Sequence, residues 1–172
     1  MDAGGISLQI AEVAAKVVLD QFLVEARLKV VGNLDNTLND ERYNYTTVQD
    51  GVAIPWIQGA VRKPIRYTEG VLKVDDMLLV YPTSSADQAA IQLMPRLERA
   101  ILYAGGFVVH GNVSMGGDMT LVTVMEGITK RFLTLTDVSI FPLFPANVTI
   151  PDVMPLALLN RSKIYQLHAA EG

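Results

Sequence analysis

His110 and His168 are the only side chains in the sequence whose ordinary pKa lies near neutrality. His110 stands in Phe107-Val108-Val109-His110-Gly111-Asn112-Val113, where apolar residues recur at every other position. It therefore falls on the polar side of a strand and reads as a solvated surface histidine, not a general base. His168 lies close to the last residue, where chains fray. Asp118 and Glu126 could join His110 around a metal only if a bend gathered them, and no H-x-x-x-H spacing supports that. No Ser-His-Asp arrangement stands out. The reading is a non-enzyme, with no catalytic residue, no metal ligand and no cofactor assigned.

Three further stretches have the chemistry of a site. Asn33-Leu34-Asp35-Asn36-Thr37-Leu38-Asn39-Asp40-Glu41 is rich in oxygen donors. A calcium loop of the EF-hand kind would need glycine where Leu38 stands and glutamate where Asn44 stands. A turn or short helix capped by Asp and Asn fits better. Gly116-Gly117 is a turn, because no phosphate-binding pattern follows it. Finally, Trp56 and Tyr67 flank Arg62, Lys63 and Arg66. Aromatics within a basic groove stack on single-stranded nucleic acid. Trp56, Arg62, Lys63, Arg66 and Tyr67 are thus the candidate ligand- or partner-binding residues. The plainer reading gives the aromatics to core or interface packing and the cations to a solvated loop.

Bulk composition narrows the choice. The net charge is −4, so the general basic field that nucleic acid requires is missing. Half of the residues are hydrophobic and 19% are charged, more apolar material than a small monomer needs. That excess points to a large core or to a surface that meets a partner, a second copy or another protein. Without cysteine there are no disulfides and no thiolate chemistry. The acidic start, Met1-Asp2-Ala3-Gly4-Gly5, does not read as a signal peptide. No uncharged apolar run is long enough to span a membrane as a helix. These features lead to the expectation of a cytoplasmic protein with no membrane insertion. The glycosylation triplets at Asn44, Asn112, Asn147 and Asn160 are read as chance matches.

The elements follow from a repeat. At an offset of eighty-five residues, Phe22 to Leu28 falls on Phe107 to Val113, with apolar positions coinciding at alternate residues. Two residues further, Tyr45 to Asp50 falls on Phe132 to Asp137, and Pro55 on Pro142. Back at the first offset, Val74-Asp75-Asp76 falls on Leu159-Asn160-Arg161. An internal duplication is expected, with copies at 1–84 and 85–172 packed as one globule. Each copy is read as opening on a helix. In the first, Ile10, Val13, Ala14 and Val17 make the apolar face. In the second, Ser85 and Gln88 form a capping box, and Leu93, Leu97, Ala100, Ile101 and Ala104 make the stripe, with Pro95 a kink. Strands are predicted near 22–30, 43–49 and 71–81, and near 107–114, 131–141 and 156–167. The fold class is therefore α+β: a duplicated helix-plus-antiparallel-strands unit. Each copy would form a curled sheet or small β-barrel, and the two would pack about a pseudo-two-fold axis.

Leu34-Asp35-Asn36-Thr37-Leu38-Asn39, Phe132-Leu133-Thr134-Leu135-Thr136-Asp137 and Leu158-Leu159-Asn160-Arg161-Ser162-Lys163-Ile164 resemble a family of small bacterial β-rich domains of unknown function. That likeness implies a β-rich fold and carries over no function. The order of elements is more loosely similar to Sm-like barrels, although Gly117-Asp118-Met119-Thr120 lacks their expected asparagine. The resulting expectation is an interaction or assembly module, oligomeric. The alternative is a ligand- or RNA-binding Sm-like barrel acting through residues 56–67.

Overall fold

The computed structural model describes residues 9–56, 63–127, 130–146, 150–151 and 153–170. Their dominant structure is strand. The chain runs β1 (Ile10–Val18), β2 (Phe22–Val31), α1 (Leu34–Asn39), β3 (Tyr45–Pro55), β4 (Ile65–Lys73) and β5 (Leu79–Pro82). It continues through α2 (Ser85–Ala89), β6 (Arg96–Ala104), β7 (Phe107–Met115), α3 (Leu121–Gly127), β8 (Phe132–Pro142), β9 (Met154–Asn160) and β10 (Ile164–Ala169). A single 3-10 turn, Val74–Asp76 or Arg161–Lys163, separates β4 from β5 and β9 from β10.

The expected opening helices are strands. In β1, Val13, Ala15 and Val17 are buried while Glu12 and Ala14 are exposed, a period of two. Lys16 sits directly opposite Glu25 on β2 and pairs with it at 2.9 Å. The segment Ile-Ala-Glu-Val-Ala-Ala-Lys-Val-Val satisfies both periods. Its valines, stiff at χ1, prefer the pleated surface once a neighbour strand is present. In the second half a one-turn helix remains, α2, capped by Ser84 rather than Ser85. Pro95 then precedes β6, at the start of a strand where its missing N–H is tolerated. The two-residue turn Gly105-Gly106 joins β6 to β7, with Gly105 at φ +56°, a conformation that favours glycine.

All ten strands form one open antiparallel sheet in the order β10-β6-β7-β8-β9-β5-β1-β2-β3-β4. This corrects the expected α+β class with a closed small barrel: the sheet is continuous and open, and the helices are three short turns. Within the sheet, the first half reads β5-β1-β2-β3-β4 and the second reads β10-β6-β7-β8-β9, the same order. Both halves carry a bulge at the same place, between Glu25 and Arg27 on β2 and between His110 and Asn112 on β7. The extra residue lies on the facing strand, where Asp50-Gly51 stands against Ala26 and Asp137-Val138 against Gly111, and the aspartate in each bulge is in the left-handed region, Asp50 at φ 49° and Asp137 at φ 51°.

The halves meet where β5 pairs with β9, Leu79 opposite Leu159 and Val80 opposite Leu158. The fifth strand of one half thus meets the fourth of the other. A two-fold axis would pair like with like, so the expected pseudo-two-fold packing is replaced by a head-to-tail junction. The third sequence match is also displaced. Thr46 faces Leu72 as Leu133 faces Leu159, so Leu72, not Val74, is the counterpart of Leu159. The two-residue change in offset persists from β3 to the end of the unit.

The core is two clusters, not the single continuous one that a shared axis would give. One gathers Phe107, Leu135, Val138 and Leu159 with Trp56, Leu78 and Leu79 from the first half. The other gathers Leu28, Val48 and Val80 with Phe132, Leu156 and Leu158 from the second. Each half therefore contributes apolar side chains to the other's core. Phe107 is buried whereas Phe22 is half-buried. On the polar sides of β2 and β7, Ser114 is the exception. It is buried, and its Oγ accepts from the Met94 N–H at 2.8 Å.

Candidate functional site

Of the proposed binding residues, Arg66 and Tyr67 line one depression with Asp50 and Gly51, while Trp56 is withdrawn into the core. Trp56 is fully buried: its indole lies 5.0 Å from the Phe107 ring and 6.1 Å from Phe144, and its Nε1 donates to the Asp20 carbonyl at 3.3 Å. It joins the halves and offers no stacking platform. Arg62 lies outside the described residues. Lys63 and Arg66 are exposed. Tyr67 is half-buried, its ring laid over Gly51 on the adjacent strand, where a Cβ would fall 2.0 Å from the ring. Burial raises the pKa of its phenol.

The oxygen-rich run is a fastener between the halves. Asn33 caps α1 by accepting from the Asn36 N–H at 2.8 Å. Asn39 Oδ1 accepts from the Phe132 N–H at 2.7 Å, and Asp35 pairs with Lys130 at 3.0 Å. Arg131 donates to the Tyr43 carbonyl at 3.0 Å. Two of the oxygen-bearing side chains expected for a cation, Asp35 and Asn39, thus have partners at the start of β8. At the end of the run, Asp40 is held down to about 2 by its hydrogen bonds from Arg42.

His110 and His168 come together in a way that their sequence positions did not foretell. They flank Ile101 across β7, β6 and β10, beside a shallow depression of about 570 Å³. Arg99 also lines it. The His110 ring stands 5.2 Å from Phe141 and the His168 ring 5.9 Å from Tyr103. No carboxylate or hydroxyl lies among the described residues lining the depression. Asp118 and Glu126 do not join them, and among the described residues no three metal-ligating side chains converge.

The feature that sequence reasoning missed is on the first half. Phe22, Val24, Val48, Ala53, Ile65 and Leu72 line an open concavity of about 320 Å³ beside the edge strand β4. Its lining is almost wholly apolar, with Glu69 the only charge. The same positions in the second half, among them Phe107, Val109, Leu135 and Leu159, are closed over by Trp56, Leu78 and Leu79. A weak signal was present: Gly51 and Gly70, both against Tyr67, mark a thin and poorly covered part of the sheet.

No family model matches the chain, and no similar protein is found among curated proteins or solved structures.

Proposed function

We propose that this chain is a non-enzymatic assembly module, built from two copies of one unit and working through the concavity and open strand at β4. The observation that carries the reading is that concavity, about 320 Å³ of apolar lining beside an unpaired edge. Proteins usually blunt edge strands with charge, proline or cover, because an open edge templates pairing with another chain. Here β4 carries Arg66, Glu69 and Lys73, yet Ile65 and Val71 are left exposed beside them. The half-apolar composition fits the same reading.

Sedimentation velocity across the micromolar range tests it. A species heavier than the 18.8 kDa chain is expected, growing with concentration. A single monomer boundary throughout the range would count decisively against it. The alternative of RNA binding through residues 56–67 has no comparable support, since Trp56 is buried.

A further inference from the structure

We infer that the partner is a second copy of this chain, joined head to tail. The β10 edge of one copy pairs with the β4 edge of the next, repeating the internal β5–β9 junction. The inference rests on the assembly reading and adds the partner, the strands and the register.

Among the described residues, the two free edges of the sheet are β4 and β10. Those strands are the fourth of the first half and the fifth of the second. The internal junction joins the same kinds of strand, the fifth of the first half to the fourth of the second. One end of the molecule is therefore shaped like each side of a junction that the chain already makes.

The correspondence holds residue by residue. Trp56 and Leu143 each follow a proline that ends a strand, Pro55 or Pro142. Each donates its backbone N–H to the carbonyl of the preceding hairpin, Trp56 to Gln21 at 3.2 Å and Leu143 to Gly106 at 2.8 Å. Leu143 therefore occupies on the second half the place of Trp56 on the first. Met77 and Ile164 each close a 3-10 turn onto its first residue, Val74 or Arg161. Counting on from these, Leu78 corresponds to Tyr165, and Val80 to Leu167. On the other side, the strand pairings match Leu158 with Val71, Leu159 with Leu72, and Phe132 with Tyr45.

Burial separates the two sets. Trp56, Leu78, Phe132 and Leu158, at the internal junction, are all 0% exposed. Leu143 is 61% exposed, Tyr165 64%, Tyr45 58% and Val71 65%. Four of the chain's exposed large apolar side chains thus occupy positions that the same fold buries wherever it has a neighbour. The concavity over Phe22 is the other half of this pattern. Its counterpart over Phe107 is filled by Trp56, whose equivalent, Leu143, is out in solvent on the far end. A second copy brings Leu143 to that concavity. The register follows from the internal one, Leu167 opposite Val71 and Gln166 opposite Leu72. The contact is heterologous, so successive copies add in one direction and close into a ring or extend as a filament.

The test uses the full chain with one edge blocked at a time. Val71→Asp places a carboxylate on the β4 edge, and Leu143→Asp places one on the opposite end. Both side chains are exposed, so the isolated fold should be retained, as circular dichroism and thermal unfolding check. Burying an unpaired carboxylate at the junction should weaken association by about 100-fold or more. Each variant alone should sediment as a monomer at concentrations where the unaltered chain associates. Mixed in equal amounts, the two retain one intact β4 edge and one intact β10 edge. They should form a one-to-one dimer and nothing larger. Association that survives in either variant alone, or a mixture that stays monomeric, overturns the β4–β10 pairing while the assembly reading stands on whatever other surface is used. An unaltered chain that is monomeric throughout overturns both.

Discussion

Asn160 is the side chain whose removal should most clearly separate the two halves. It is fully buried at the end of β9. Its Nδ2 donates to the Met77 carbonyl at 2.9 Å and to the Asp75 carbonyl at 3.2 Å, both in the first half. Its Oδ1 accepts from the Ser162 N–H at 3.0 Å and from Ser162 Oγ at 2.8 Å, capping the 3-10 turn. Asn160→Ala removes all four bonds. Asp75 and Ser162 are exposed, so water can replace much of what they lose. Met77 is fully buried, and its carbonyl loses a partner in a place that admits little water. A buried group left unsatisfied costs roughly 1–3 kcal/mol, and the lost cap adds about 1. The expected total is about 2–4 kcal/mol, read from urea unfolding by the shift of the midpoint at unchanged slope. Asn160→Asp supplies the control. It keeps the acceptor for Ser162 but turns an oxygen toward two carbonyls, so it should be at least as damaging as alanine. A loss below about 1 kcal/mol for alanine, or a benign aspartate, would refute the role given to the amide.

Two further outcomes are expected. Trp56→Ala should cost about 3–5 kcal/mol in chemical denaturation, because it empties a buried contact with Phe107 and Phe144. Leu143→Ala, at the equivalent but exposed place, should change the stability of the monomer by no more than about 0.5 kcal/mol; equal costs at the two sites would contradict the burial assigned to Trp56. Arg42→Ala should return the Asp40 carboxyl from about 2 toward its ordinary 3.8, followed by carboxyl chemical shifts in an NMR titration. Because the folded value is depressed, the stability this pair contributes is complete above pH 3.8 and is lost as pH falls through about 2. An unchanged Asp40 titration in the variant would rule out Arg42 as the cause.

The parts of the fold legible in the sequence are those where one pattern had no rival. Phe22–Val31 and Phe107–Met115 alternate apolar with polar or small residues, and both are strands. The run after Asn33 reads as a turn or a capped short helix, and it is the helix. Ile10–Val18 failed because alanine and valine at mixed spacing satisfy a helical stripe and a strand alike, and the neighbours β2 and β5 decide between them. The predicted strands near 71–81 and 156–167 each proved to be two, divided by the three-residue 3-10 turns at Val74-Asp75-Asp76 and Arg161-Ser162-Lys163, whose polar residues are too few to separate from the polar positions of one strand. Trp56 was misplaced for a different reason. Arg62, Lys63 and Arg66 follow it within ten residues and suggested a shared basic site, and nothing local reveals that it packs on Phe107, fifty-one positions away. Comparison between the halves held the missing hint: an apolar residue, Trp56 or Leu143, follows the strand-ending proline in both.

That comparison also bears on how strongly the outer edges can hold a neighbour. Where β9 has the buried Asn160, with its two bonds into the first half, β4 has the exposed Lys73. A lysine at that position forms no such clasp, and lysine is a residue that discourages edge pairing. Where the inner junction has Trp56, the outer has the smaller Leu143, and where it has Leu79 buried, the outer has the exposed Gln166. Each exchange lowers the apolar area or the hydrogen bonding that a new junction can gain. The outer pair must also lose the translational freedom of two separate molecules, a cost that covalent linkage removes from the inner pair. An outer junction of the proposed kind should therefore be weaker than the inner one and should form and release with concentration.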